Sequence, residues 1–308
     1  MKKVVVAGYA RSPFTLAKKG DLATVRPDRL AAQVVAGLVA RTGVKVDDLE
    51  DLLLGCAFPE GEQGLNMARL VALMAGLPQS VAGQTINRFC GSSMQSIHSA
   101  AGAVQMGAGE VFVCAGVESM SRVPMMGYNV LPDPDFAKQL PGAYIGMGDT
   151  AENVAARWGI TRAEMEAFAV ASHVKAAAAR PAGKFESEIV PITDKKGRTV
   201  SADGCIRPET TAEGLATLKP AFSANGVVTA GTSSPLTDGA SAVIVCSLDY
   251  AEKNGLEPLA AIKSIAVSGC DPEIMGIGPV GSSLKAAARA GIDVKSIDVI
   301  ELNEAFAS

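Results

Sequence analysis

The sequence has 308 residues, 48% of them hydrophobic and 19% charged, with a formal net charge of −4 at pH 7. That describes a globular chain with ample core in two or three domains, and the slight acidity without a basic stripe argues against nucleic acid as a partner. No apolar run approaches the roughly 18 residues of a membrane span, and the apolar start, Val4 to Gly8, is too short for a signal peptide.

In chain order, Lys3 to Gly8 reads as a buried strand and Arg29 to Arg41 as a helix with Leu30, Val34, Leu38 and Val39 on one side. Leu52 to Cys56 is a second buried strand, Asn66 to Ala75 a helix, Val81 to Asn87 a β-type run, Ser92 to Met106 a helix and Val111 to Gly116 another strand. Strands that are continuous apolar runs and alternate with helices predict a mainly parallel sheet covered on both faces. From Glu118 the texture changes. Methionines and prolines punctuate the stretch to about Gly146, a helix-rich part runs from Ala151 to Ala179, and a polar segment leads to Thr229. Residues 119–233 therefore read as an insertion, and loops on a rigid scaffold are where ligand contacts concentrate. Ala240 to Cys246 returns to a buried strand.

The chain contains one αβ unit twice. Arg41-Thr42-Gly43-Val44-Lys45-Val46 aligns with Arg289-Ala290-Gly291-Ile292-Asp293-Val294, and without a gap Ala57-Phe58 then meets Ala305-Phe306. Upstream, Val4-Val5-Val6-Ala7-Gly8 resembles Ile265-Ala266-Val267-Ser268-Gly269. The second copy starts near Pro258 and is much shorter than the first, so repeat logic predicts an incomplete second half with exposed apolar edge strands.

The six cysteines, Cys56, Cys90, Cys114, Cys205, Cys246 and Cys270, are scattered with no Cys-x-x-Cys. Neither a zinc nor a disulfide framework is expected, and reduced thiols in a cytoplasm fit the pattern. Cys90 stands apart, because it falls where a β-type run ends and a helix begins. Gly91, Ser92 and Ser93 suit a tight turn and an N-cap. The dipole and free N–H groups of a helix start favour thiolate over thiol and can stabilise an oxyanion. The alternative is a small buried apolar cysteine. Two histidines are available. His98 lies eight residues along the same helix, a rise of about 12 Å, and His173 reads as a surface helix residue. Neither is a convincing base for Cys90.

Three motifs sharpen this reading. Asn87-Arg88-Phe89-Cys90-Gly91-Ser92-Ser93-Met94-Gln95 resembles the nucleophile segment of the thiolase family, close to its degradative 3-ketoacyl-CoA members. Val228 to Ala240 is similar to the second signature of that family, and Asn303-Glu304-Ala305-Phe306-Ala307 to the third. The resemblance implies an α/β fold of duplicated αβ halves in αβαβα layers. Residues 1–118 with 234–257 form the N-terminal half, 119–233 an inserted loop domain that binds CoA, and 258–308 the start of a truncated C-terminal half. The implied activity is thiolytic cleavage of 3-ketoacyl-CoA through an acyl-Cys90 intermediate. Alternatives are short-chain acetyl-CoA acetyl transfer in the biosynthetic direction and a non-catalytic lipid-binding protein.

By the same resemblance, Asn303 fixes a water at the thioester oxygen, and Arg207 packs over the adenine of CoA. Ser234 bonds the pantetheine arm, Met147 and Phe222 line its channel, Ala230 is a further substrate- or CoA-binding residue, and Ala305 and Phe306 flank the acyl pocket. Each has a plain alternative as a surface, turn or packing residue. Coenzyme A is a substrate, with no cofactor and no metal. Partners are CoA and acyl-CoA thioesters, and the chain is expected to be a homodimer or homotetramer, with a β-oxidation partner subunit also admitted. The base of the family, a His in a Gly-His-Pro turn, and a second Cys are expected beyond Ser308, so this chain is expected to turn over little.

Overall fold

The fold comes from a computed structural model that describes residues 2–308. The strands are β1 (Val4–Arg11), β2 (Thr15–Leu16), β3 (Asp51–Gly55), β4 (Ala82–Ile86), β5 (Val111–Ser119), β6 (Ile192–Thr193), β7 (Thr199–Val200), β8 (Thr237–Ser247) and β9 (Ala260–Ala261). The helices are α1 (Pro27–Thr42), α2 (Met67–Met74), α3 (Ser92–Met106), α4 (Pro134–Gln139), α5 (Met147–Trp158), α6 (Arg162–Ala179), α7 (Ala212–Ala216), α8 (Leu248–Asn254) and α9 (Gly278–Ala290). Two compact units interleave along the chain. The first comprises Met1–Val130, Lys184–Cys205 and Leu236–Ile262, and the second Leu131–Gly183, Ile206–Pro235 and Lys263–Ser308.

The first unit is built on a seven-stranded sheet in the order β4-β3-β5-β8-β1-β9, with β2 paired to β8. The expectation of a mainly parallel sheet fails. Only the two ladders of β3, to β4 and β5, are parallel, whereas β8 runs antiparallel to β5, β1 and β2, and β9 antiparallel to β1. An apolar run records burial on both faces but not direction, and β8 enters the sheet from a distant part of the sequence. Coverage of both faces does hold. Leu52 and Leu54 of β3, Val111, Val113 and Ala115 of β5 and Ile244 of β8 face one cluster with Leu30, Val34, Val35 and Leu38 of α1. The alternate residues Leu53, Phe112, Cys114 and Val245 face a second cluster with Ala100, Ala101 and Val104 of α3. Truncating a side chain as buried as Leu54 to Ala costs about 2–5 kcal/mol.

The second unit is mainly helical. Ala151 and Ala155 of α5, Met165 of α6 and Val228 form its buried cluster, with Phe306 packed against it. Helix α6 opens on a capping box, the Thr161 hydroxyl accepting from Glu164 N–H and the Glu164 carboxylate from Thr161 N–H.

The internal repeat is visible in backbone geometry. Helix α1 ends at Gly43 with φ 66°, and α9 ends at the aligned Gly291 with φ 66°, each in the left-handed region that favours glycine. A short 3₁₀ turn follows each, Val46–Asp48 and Val294–Ser296. There the copies diverge. After the first turn comes β3, but residues 297–302 form no strand, and neither does the stretch 265–269 that resembles β1. Val299 and Ile300 are 81% and 66% exposed. Extended backbone without a neighbouring ladder leaves its apolar side chains in solvent, so the apolar exposure expected of the second copy is present but the predicted edge strands are not. Among the described residues no helix is long and apolar enough to cross a membrane.

Candidate active site

The segment after β4 makes two tight moves before α3 begins. Phe89 to Gly91 form a 3₁₀ turn, and Phe89 has φ 44°, a left-handed conformation that a bulky residue adopts only under constraint. The constraint is local. Asn87 Oδ1 accepts the N–H of Phe89 at 2.8 Å. Ser92 Oγ accepts the N–H of Arg88 at 2.9 Å and donates to the carbonyl of Phe89 at 2.6 Å. Arg88 Nε donates to Gln95 Oε1 at 2.9 Å. The serines therefore do not cap α3 as expected. Gly91 holds the N-cap position without a side-chain cap, and Ser92 braces the turn instead.

Two glycines let this turn lie on the sheet. A Cβ on Gly55, at the end of β3, would fall 2.4 Å from the backbone of Ser92, and one on Gly116 in β5 would fall 2.5 Å from Ser93 Cβ. Only bare backbone at both positions admits the start of α3 so close to the strand ends.

Cys90 is exposed, so the alternative of a sealed apolar cysteine does not apply. Packed protein around Cys90 pushes its thiol above the ordinary range, with the Glu118 carboxylate adding to the shift and the N–H of Cys90 itself opposing it. Of the other cysteines, Cys56, Cys114 and Cys246 are buried, and burial pushes the Cys246 thiol up to about 11. His98 lies on α3 with its pKa lowered by burial and by the Arg88 charge.

The remaining candidates all belong to the second unit, where several come together. The N–H of Ser234 donates to the carbonyl of Ala305 at 2.9 Å, and that of Ala307 to Thr232 O at 2.9 Å. Ser233 and Phe306 form an antiparallel bridge, so the second and third motifs pair with each other. The ring of Phe306 meets Phe222 edge-on at 5.8 Å. Phe222 in turn lies over Gly148 beside Met147 at the start of α5, where a Cβ would stand 2.0 Å from the ring. Ala230 is exposed within the second motif. Arg207 is exposed, and its N–H donates to His173 Nδ1 at 3.2 Å. Asn303 is exposed, and its neighbour Glu304 accepts from Ser172 Oγ at 2.5 Å.

Two carboxylates escaped the sequence reading. Glu152 accepts the N–H groups of Val227 and Val228 at 2.9 and 3.0 Å and so holds the start of the second motif. Glu118 accepts the N–H groups of Ala57 and Phe58 at the end of β3. The available signal for Glu118 was a charge near the end of an otherwise apolar strand.

Comparison with known proteins places these features. The family model described as Thiolase, N-terminal domain, matches residues 4–249, and that described as Thiolase, C-terminal domain, matches residues 256–308. The 3-ketoacyl-CoA thiolase of Bacillus subtilis is 47% identical over 320 residues, which take in 100% of this chain and 82% of that protein. The protein of the same name from Idiomarina loihiensis is 46% identical, with 100% and 81% covered. Among solved structures, the Bacillus anthracis acetyl-CoA acetyltransferase superposes with a TM-score of 0.91 at 39% identity, covering 100% of this chain and 81% of that one. Human mitochondrial 3-ketoacyl-CoA thiolase superposes with a TM-score of 0.89 at 36% identity, covering 99% and 81%.

Proposed function

The chain belongs to the thiolase family, and from that premise we propose that it transfers acyl groups from 3-ketoacyl-CoA through Cys90. The Cys90 sulfur bonds to the 3-keto carbon. The bond between C2 and C3 breaks, its electron pair stays on C2, and the proton of the thiol ends on that carbon to give acetyl-CoA. The shortened acyl group remains on Cys90 as a thioester until a CoA thiol takes it. Splitting one transfer into two easier ones is what covalent catalysis supplies. The observation that carries this reading is an exposed cysteine on a braced turn with a left-handed residue immediately before it, at the mouth of α3.

From the motif matches we assign Asn303 to a water at the thioester oxygen, Arg207 to the adenine end of CoA, Ser234 to the pantetheine arm and Ala305 with Phe306 to the acyl pocket. The edge-on pair of Phe222 and Phe306, with Phe222 over Gly148, supports an apolar wall there, and Met147 and Ala230 are assigned to the same CoA site from the motif matches. Residues 119–233 carry most of these CoA contacts. The partners are CoA thioesters and further copies of the chain.

His98 sits two turns along α3, and His173 spends its Nδ1 on Arg207. We assign Cys90 the acylation half-reaction, in which acetyl-CoA leaves and the shortened acyl group stays on the sulfur. Degradation of medium-chain 3-ketoacyl-CoA is favoured over acetyl transfer in the biosynthetic direction, because the relatives named 3-ketoacyl-CoA thiolase reach 45–48% identity.

The test is single-turnover release of acetyl-CoA from 3-ketooctanoyl-CoA in the absence of free CoA. About one equivalent per chain, lost in Cys90→Ala, is expected. Release unaffected by Cys90→Ala would overturn the assignment. A preference for acetoacetyl-CoA over longer substrates would favour the biosynthetic alternative.

A further inference from the structure

The nucleophile turn does not stand alone. Its outer side is held by the corner that follows β3, residues 56–58, and that corner is held by Glu118 of β5. The contacts form a continuous chain. Glu118 Oε2 accepts the N–H of Ala57 at 2.7 Å, and Oε1 accepts the N–H of Phe58 at 3.3 Å and Gln63 Nε2 at 2.7 Å. Gln63 is fully buried. Its Nε2 also reaches the Phe58 carbonyl at 2.8 Å, and its Oε1 takes the N–H of Ser119 at 2.7 Å. The corner then grips the turn. The Ala57 carbonyl accepts Asn87 Nδ2 at 3.0 Å, Cys56 N–H donates to Ile86 O at 3.0 Å, and the Phe58 ring lies 5.9 Å from Phe89. Asn87, so placed, holds the left-handed Phe89 beside Cys90.

We propose that Glu118 is a positioning residue for acyl transfer, clamping the 56–58 corner through both carboxylate oxygens so that Asn87 and Phe58 fix the turn that presents Cys90. The inference rests on Cys90 being the nucleophile. Both oxygens of Glu118 face donors only, an arrangement that suits an ionised carboxylate and not an amide, which must turn its NH₂ group toward one of them. Glu118 thus carries two duties. It fixes geometry through the corner, and its charge adds to the upward shift that burial gives the Cys90 thiol, while burial raises its own carboxyl and the N–H donors around it oppose that rise. The other titratable groups nearby are engaged elsewhere or neutral. Arg88 on the turn is tied to Gln95, Glu62 is paired with Arg122 and Arg26, and the Cys56 thiol is kept protonated by burial, with the Glu118 charge adding to it.

The test follows Cys90 carbamidomethylation by iodoacetamide against pH, using peptide mass spectrometry with exposed Cys270 as the reference in the same molecule, together with the rate of Cys90 acylation by acetyl-CoA. In Glu118→Gln the Cys90 profile is expected to move to lower pH while that of Cys270 stays in place, and acylation is expected to fall at least tenfold. Asn87→Ala cuts the last link and leaves the charge, so acylation falls tenfold with the midpoint unmoved. This variant decides the matter if Glu118→Gln does not fold. Variants with wild-type profiles and wild-type acylation would overturn the proposal. If wild-type Cys90 is not acylated at all, the enzymatic reading fails, while the shift in the alkylation profile still reports whether Glu118 governs the sulfur.

Discussion

Gly116 in β5 and Ser93 in α3 are in such close register that a single added carbon on the glycine would stand 2.5 Å from Ser93 Cβ. Strand and helix start therefore meet as backbone against side chain, with no slack for a methyl group. Gly116→Ala is expected to push the first turn of α3 outward and to cost about 1–3 kcal/mol, the usual price of overpacking. Urea unfolding monitored by circular dichroism measures the loss of stability, and the alkylation rate of Cys90 in the same variant measures the displaced turn. Gly102→Ala, inside α3 where a Cβ meets nothing within 4 Å, serves as the control: it is expected to raise stability by about 0.5–1 kcal/mol and to leave the alkylation rate unchanged.

The Cys90 thiol titrates above the ordinary cysteine range, so its thiolate fraction at neutral pH is smaller than that of a free cysteine. Alkylation is expected to rise with pH and to level off only beyond the pH at which a small free thiol does. A pH–rate profile of the Cys90 peptide checks this. A plateau already reached near pH 7 would contradict the account.

Glu152 holds two consecutive backbone N–H groups, those of Val227 and Val228, at the start of the second motif. Glu152→Ala strands both donors in a half-buried site, at about 1–3 kcal/mol for a lost partner. Hydrogen exchange of the 227–234 segment is the measurement, and protection there is expected to drop in the variant while the first unit keeps its own.

Phe222 and Phe306 meet edge to face at 5.8 Å. Phe222→Ala removes a contact of about 0.5–1.5 kcal/mol beyond its buried area. By the proposed pantetheine wall, CoA affinity measured by calorimetry should fall several-fold. Unchanged affinity would separate this aromatic pair from the CoA site.

Much of this was legible in the residues. Helix α3 spans Ser92 to Met106 as its spacing predicts, and the apolar runs of β3, β5 and β8 are covered on both faces. The repeat shows in the twin left-handed caps at Gly43 and Gly291. Other features lie in contacts between residues far apart in the sequence, which local pattern does not encode. The antiparallel course of β8 depends on which neighbours it meets, and hydrophobicity carries no arrow. Glu118 reads as a stray charge on a strand until β3 brings Ala57 and Phe58 to it. The direction of the Cys90 shift depends on the surrounding packing and the Glu118 charge as well as on the helix start, and neither of those is local in the sequence. Residues 297–302 have strand composition, but composition supplies no partner.

The central claim is that Cys90 carries the acyl group. Brief exposure of the intact chain to acetyl-CoA, followed by acid quench and peptide mass mapping, tests it most directly. The account predicts an acetyl increment on the peptide containing Cys90 and none on the peptide containing Cys270, the other exposed cysteine. An unmodified Cys90, or equal labelling of both, would contradict it.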